Sequence, residues 1–532
     1  MKSLISNLKS QILSFRSIII VILIFSAFLR LYRIDEYMTF LGDEGRDVLV
    51  VYNILHGNLT LLGPTASVGG FFLGPAYYYF MTPFLWFFNY NPVGPAVMVA
   101  LFGVATVWLV YKAGDIFFNK KVGIISALLY SISPLVIAYS RSSWNPNLMP
   151  FFSLLTLLIL YKALEKNKAW LIILSGLMLG ITIQLHYLAT FLSAILFFYI
   201  LIFRIFKDSK GSLLPLLIKL ARDYYYISLG FIIGISPFLT FEFRHGFQNI
   251  QSIISFVISS GDTGAGINLF RTVYDAFFRL FARLITSFPP PEQVSLKANV
   301  NIFIWYLGSL VLGIISISIF LTKFIALYRE RKKENSAFLK FLLIFLWFFV
   351  GVGLFGFYKK SIYDYYFGFI FPLPFLLVGN ALDFFIRKNK IFVIFAISIL
   401  LILIIINLNG IPFKYSPNRQ LKQVEAISRS VVEVSEGKPF NFALVSGNNS
   451  DHAYRYFFTL WNQTPISILN PQVDPKRESV TNQLIIVCET LPCHPLGHSL
   501  WEIAGFGRAE IAEEWNVSVV KIYKLRHYKE AK

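Results

Sequence analysis

The chain has 532 residues, of which 56% are hydrophobic, 17% aromatic and only 14% charged, where a soluble domain carries roughly 25% charged residues. So few charges cannot cover a chain of this length, which excludes a water-soluble globule. The net charge of +19 is read as basic residues flanking membrane spans and holding their orientation, and no nucleic-acid partner is expected.

Apolar runs occupy 17–32, 93–111, 122–139, 148–164, 170–185, 189–206, 225–243, 302–327, 338–357, 365–385 and 391–408, most of them near the ~20 residues that cross a bilayer core. The first follows Lys2, Lys9 and Arg16, lacks a small-residue cleavage site and is followed by Arg30 and Arg33, so it reads as a retained signal anchor. Residues 71–88 are also apolar, but Gly69, Gly70, Gly74, Pro75 and Pro83 interrupt them, and Tyr77, Tyr78, Tyr79 and Trp86 belong at headgroup level.

If 71–88 does not cross and the N-terminus is cytoplasmic, the basic clusters all fall inside. They are Lys112, Lys120 and Lys121; Lys162, Lys166 and Lys168; Arg204, Lys207, Lys210, Lys219 and Arg222; Arg329, Arg331, Lys332 and Lys333; and Arg387, Lys388 and Lys390. The positive-inside rule requires this arrangement; a crossing at 71–88 would flip every one of them outside. The expectation is a multi-pass protein of the plasma membrane with about eleven spans. Residues 35–92, and the chain from about residue 410, then lie outside.

The first outer loop carries Leu41-Gly42-Asp43-Glu44-Gly45-Arg46-Asp47. An amphipathic helix follows, with Val48, Val51, Tyr52 and Leu55 on one face and His56-Gly57-Asn58 as its stop. Two compatible readings exist for Asp43: it caps this helix, with Glu44 and Asp47 favouring the positive dipole end, or it serves as a general base toward a hydroxyl.

Further outward features are Tyr139 to Asn147, Gln184 to Tyr187, Glu242, Arg244 and His245, a long loop 246–300 with Arg271, Arg279 and Arg283, and Lys359 to Tyr366. Cations near the outer ends, Arg141, Arg244, Lys359 and Lys360, fit a cavity for an anionic headgroup. They fit equally well ion pairs with Asp43, Glu44, Asp47, Glu242 and Asp364.

The C-terminal segment is polar and broken by turns such as Gly447-Asn448-Asn449. Residues 419–436 and 452–461 read as helices, and 440–445 and 483–487 as strands, giving a small α/β domain. Cys488 and Cys493, with His494 and His498 nearby, fit either a short disulfide loop or a loose imitation of a zinc site. There is no Walker loop and no dinucleotide fingerprint, so no cofactor is expected; metal assistance stays open.

Gly42 to Asp47, Leu73-Gly74-Pro75-Ala76-Tyr77-Tyr78-Tyr79, Ser140 to Asn147, Leu185-His186-Tyr187 and Phe243-Arg244-His245-Gly246 occur in this order. In this the chain, over about 15–390, resembles the GT-C superfamily of membrane glycosyltransferases, close to bacterial relatives of the protein O-mannosyltransferases and the aminoarabinose transferase of lipid A. The C-terminal domain carries no such likeness.

The resemblance implies an all-α GT-C membrane domain (1–409) with interfacial helices in the first outer loop; the extracytoplasmic α/β domain (410–532) rests on the residue pattern and the charge topology alone. It implies a polyprenyl-phosphate sugar as donor, used on the outer face, with Asp43 as the catalytic carboxylate and Glu44 beside it. It also implies outward-facing cations that hold the lipid phosphate; Arg46, Arg141, Arg244, Lys359 and Lys360 are the candidates. One departure stands out: where the aminoarabinose transferase has a further acid at the start of the fourth span, this chain has Asn145 and Asn147, which can only hydrogen-bond. His186, Tyr187, Asp47, His245 and Tyr365 complete the expected sugar or acceptor pocket. The acceptor class, whether lipid, glycan or protein, is open, and membrane lipids surround the domain.

A single displacement would invert the sugar carbon. Two rivals are a non-enzymatic flippase of lipid-linked sugars and a ligase that moves a whole lipid-linked glycan. Transporters place broken or polar helices at mid-depth, whereas here polarity collects at the outer ends, which favours surface chemistry.

Overall fold

A computed structural model describes residues 15–208, 213–259, 261, 263–264, 269–297, 299–333 and 335–528; Lys2, Lys9, Lys210 and parts of the loop 246–300 lie outside these. Helices α1 (Phe15–Leu31), α2 (Gly42–Leu55), α3 (Ala76–Phe87), α4 (Val93–Phe117), α5 (Lys120–Ile132), α6 (Pro134–Tyr139), α7 (Met149–Lys166), α8 (Ala169–Leu185) and α9 (Phe191–Asp208) form the first half. The second half contains α10 (Leu213–Gly234), α11 (Ser236–Arg244), α12 (Gln248–Ile258), α13 (Leu269–Ala282), α14 (Val300–Arg329), α15 (Asn335–Gly353), α16 (Pro372–Ile386) and α17 (Lys390–Asn409).

Among the described residues, six helices are long and apolar enough to cross a membrane, or eight if each bent pair is one span. The bent pairs are α10 with α11, at 72°, and Asp364–Ile370 with α16, at 64°. The expected runs at 17–32, 122–139 and 170–185 are shorter helices, and the middle one is broken at Ser133-Pro134. The faces of α14 and α17 leave Ile304, Ile314, Ile394, Leu401 and Ile405 exposed, an apolar band on helices long enough to cross a bilayer. The protein is an integral membrane protein.

Local chemistry sets several helix ends. Asn119 caps α5 by accepting from the Lys121 and Val122 amides at 2.9 and 3.2 Å, and Asn299 and Asn389 cap α14 and α17 in the same way. Asn167, in the left-handed region at φ 52°, ends α7. The basic clusters meet at one end of the bundle, where Arg204 bonds Asp223 at 2.6 Å and Asn167 at 2.8 Å, Lys207 reaches the Leu164 carbonyl at 3.0 Å, and Asn119 reaches Asp383 at 2.9 Å. Helix α3 has 12 residues, about 18 Å at 1.5 Å per residue, too short for a hydrocarbon core of about 30 Å.

The chain then forms α18 (Gln420–Val434), β1 (Asn441–Val445), α19 (His452–Leu460), β2 (Gln483–Cys488), β3 (Ala509–Val517) and β4 (Val520–His527). The sheet order is β1-β2-β4-β3, with β1 and β2 parallel and the other pairs antiparallel. The parallel strands are buried almost throughout, as strands covered on both faces must be. This domain is not packed apart from the helices. Val424, Ile427 and Val431 of α18, Tyr456 and Phe457 of α19 and Phe442 of β1 share one core with Val48 and Val51 of α2, Tyr77 and Met81 of α3, and Met98 and Val99 of α4.

Candidate active site

Helix α2 begins at Gly42, so Asp43 sits inside the first turn and, contrary to one sequence reading, does not cap it. The preceding Leu41 has no side-chain oxygen to offer the orphan amides. Glu44 reaches back to the Leu41 amide at 3.0 Å, and the Gly42 amide donates to Asn449 Oδ1 at 2.9 Å. A Cβ on Gly42 would strike Ser450, and one on Gly45 would strike the Ala453 backbone; glycine alone lets α19 lie this close.

The three acids of the loop end in different surroundings. Glu44 and Asp47 are buried, while the Asp43 side chain keeps 55% of its exposure. Arg46 joins two of them, bonding Asp43 Oδ1 at 3.0 Å and Asp47 Oδ1 at 2.7 Å. Burial is the largest influence on Asp47 and pushes it up to about 6 against the pull of Arg46; burial pushes Glu44 up to about 7.

The rise at Glu44 has a testable sign. A carboxyl whose folded pKa is raised adds stability that is complete below its unfolded value of 4.5 and is lost as pH climbs through about 7. The thermal midpoint of the purified protein should therefore fall between pH 5 and pH 8. Glu44→Gln keeps an acceptor for Leu41 and should flatten the upper part of that slope, removing a term of about 3 kcal/mol. An unchanged slope in that variant would remove Glu44 from the account.

Asp43 opens onto a cleft of about 580 Å³ walled by Thr39, Tyr139, Ser142, Trp144 and Asn147 from the helical domain and by Asn448, Asn449 and Ser450 from the C-terminal domain. Tyr139 and Trp144 also wall a cavity of about 1220 Å³ that holds Arg271, Arg279, Lys359 and Lys360. Arg279 is already matched by Asp275, Asp364 and Glu292, and Arg283 bonds Asp364 at 2.7 Å. Arg271, Lys359 and Lys360 are exposed.

An apolar groove of about 580 Å³ is lined by Phe71, Phe72, Tyr187, Phe238, Phe256 and Tyr358, among others. Tyrosines stand between groove and cavity: Tyr187 and Tyr358 share a 2.8 Å hydrogen bond, and Tyr365 packs on Trp144 at 4.4 Å and on Tyr366 at 4.6 Å.

The remaining sequence candidates fall into distinct places. Asn147 lines the cleft and Tyr365 the cavity, whereas Asn145 is buried and donates to the Leu185 carbonyl at 2.7 Å. His186 is buried among Tyr187, Tyr365 and Tyr366 and accepts from the Leu188 amide. Arg244 and His245 are exposed at the end of α11, with His245 stacked on Phe241, and neither lines the cleft, the cavity or the groove. Arg141 points inward, and its terminal nitrogens meet the carbonyls of Leu29, Arg30, Tyr32 and Arg33; a phosphate would have to displace them.

Glu242 accepts from Asn249 at 2.8 Å. Cys488 and Cys493 are bonded to each other, so neither sulfur is available as a zinc ligand. Sequence reasoning missed the cleft wall at 448–450. The only signal was the Gly447-Asn448-Asn449 turn, which marks a loop but not what the loop touches.

Residues 73–222 match the family model described as dolichyl-phosphate-mannose-protein mannosyltransferase. The match begins beyond Asp43, so the reading of that residue stands on the geometry. No curated protein matches the chain. Among solved structures, ArnT from Cupriavidus metallidurans in the apo state is similar with a TM-score of 0.57 at 12% identity, over 97% of this chain and 98% of that one. The same protein bound to undecaprenyl phosphate gives 0.56 at 12% identity, over 96% and 97%. The archaeal oligosaccharyltransferase AglB from Archaeoglobus fulgidus, in complex with an inhibitory peptide and a dolichol-phosphate, gives 0.52 at 13% identity, over 89% and 69%. At these identities the likeness is one of fold: the helical part has the GT-C architecture that the sequence motifs implied, and the chain ends in a small sheet domain, which the turn and strand pattern had indicated.

Proposed function

We propose that the protein is a glycosyltransferase that moves a sugar from a polyprenyl-phosphate carrier to a hydroxyl acceptor on the outer face of the membrane, with Asp43 as general base. The observation that carries the reading is the pairing of two spaces across Tyr139 and Trp144. One presents an exposed carboxylate, and the other presents cations.

In the proposed step the acceptor oxygen attacks the anomeric carbon while its proton passes to the Asp43 carboxylate. The bond from that carbon to the phosphate oxygen breaks, and its electron pair leaves with the polyprenyl phosphate. One displacement inverts the carbon. Arg46 holds one oxygen of Asp43, which fixes the base without covering it, and the buried Glu44 holds the turn. Lys359, with Arg271 and Lys360, is assigned to the phosphate, since a departing dianion needs charge-assisted donors. The apolar groove beside Tyr187 suits the polyprenyl tail; ArnT in complex with undecaprenyl phosphate and AglB in complex with a dolichol-phosphate support a lipid carrier of this class. The outward orientation rests on the basic clusters at the opposite end of the bundle.

Purified protein should be incubated with radiolabelled undecaprenyl-phosphate hexoses and pentoses and with membrane acceptors. Label moved off the carrier supports the reading. A change of sidedness without bond cleavage supports a flippase, the rival that the two bent helix pairs admit. Transfer of only a preassembled glycan marks a ligase. Lys359→Ala is expected to lower kcat/KM at least about ten-fold with part of the loss in kcat, because the phosphate gains charge as it departs, and an unchanged kcat/KM would move the phosphate site elsewhere.

A further inference from the structure

We propose that the C-terminal domain is a working part of the active site, with Asn449 as the positioning residue that aims Asp43. The proposal rests on the reading of Asp43 as the base. The first turn of α2 is where that aim is set, and its capping comes from two places. Glu44 serves the Leu41 amide from within the loop. The Gly42 amide is served by Asn449 Oδ1 at 2.9 Å, from a residue 407 positions later in the chain.

The orientation of the Asn449 amide is itself determined. Its Nδ2 donates to both oxygens of Glu489, at 3.0 and 3.1 Å, so only Oδ1 is left to face the helix. Glu489 is held in turn. It accepts from the Tyr454 hydroxyl at 2.6 Å, its amide bonds the Val445 carbonyl at 2.9 Å, and it follows Cys488, the bridged last residue of β2. A continuous chain of bonds therefore runs from the sheet through Glu489 and Asn449 to the residue before Asp43.

Contact with Ser450 and Ala453 at Gly42 and Gly45 leaves the helix no room to shift toward the domain. Asn448 and Ser450 of the same loop line the Asp43 cleft. The acceptor hydroxyl is thus approached between Trp144 and this loop, and the domain takes part in the acceptor site.

A catalytic group displaced by about 1 Å can lose up to about 100-fold in rate. In detergent-purified full-length protein, assayed with the undecaprenyl-phosphate sugar panel, Asn449→Ala and Asn449→Asp are each expected to lower kcat by about 10- to 100-fold with the donor KM little changed. Asn449→Asp sets a second carboxylate against Glu489. Adding Glu489→Gln restores a donor to that side chain, so the double variant should recover to within about three-fold of wild type, a coupling that independent structural losses do not produce. If Asn449→Ala does not fold, the pair still decides the matter.

Single variants with wild-type kcat, or a double variant no better than Asn449→Asp, overturn the inference. Full transfer by Asp43→Asn overturns the reading of the base instead, and a wild-type protein that consumes no member of the panel overturns both.

Discussion

Replacing Asp43 by asparagine is expected to lower sugar transfer by about 10²- to 10⁴-fold, the usual worth of a general base. Asparagine has nearly the same size, and its Oδ1 still accepts from Arg46, which lies 3.0 Å from the native carboxylate. The pair of Arg46 with the buried Asp47 at 2.7 Å is untouched, and so are the Glu44 bond to Leu41 and the Asn449 bond to Gly42. The variant should therefore reach the membrane, purify with a wild-type thermal midpoint and bind donor normally. The loss should lie in kcat, since proton removal occurs in the transition state and not on binding. Full activity would refute the assignment.

Arg141→Ala is expected to fail at the level of folding. The side chain is 1% exposed and meets the carbonyls of Leu29, Arg30, Tyr32 and Arg33 at 2.9, 3.1, 2.8 and 3.2 Å. The first two belong to the last turn of α1, whose carbonyls lack intrahelical donors, and the other two follow it directly. The guanidinium also lies over the rings of Phe413, at 4.9 Å, and Tyr37, at 5.5 Å, and so ties the segment between α1 and α2 to the start of the C-terminal segment. Alanine would leave buried carbonyls unpaired, at a cost of about 3 kcal/mol or more. Lysine, a point charge, cannot replace a planar fork. The measurement is the yield and thermal midpoint of Arg141→Ala and Arg141→Lys. Wild-type stability with a raised donor KM would return Arg141 to the phosphate.

Asp43, Glu44 and Asp47 show where sequence reading stops. An acid ahead of an apolar helical face is the ordinary sign of an N-cap, and it led to Asp43 as one reading. The helix instead starts two residues earlier, where Asn449 supplies a cap from outside, and nothing local encodes a partner that distant. The strands β3 and β4 were missed for a different reason. Their exposed and half-buried positions carry Glu510, Glu514, Lys521 and Arg526, which pair across the ladder, Arg526 with Glu510 at 2.6 Å and Lys521 with Glu514 at 3.1 Å. Such cross-strand pairs stabilise an edge but dilute the apolar alternation that marks a strand.

The membrane class, the broken apolar stretch at 71–88 as one too interrupted to cross, the gathering of basic residues at one end and the acidic loop were legible in the sequence alone. Each follows from hydropathy, length or charge summed along a contiguous stretch. Only the tertiary structure decided which of the loop acids stays exposed, which cations face a cavity, and that the C-terminal domain closes over α2 in a shared core. Those outcomes depend on burial and on hydrogen-bond partners hundreds of residues apart. The Asp43, Glu44 and Asp47 carboxyls are alike until the fold buries two of them and leaves the third beside a cleft.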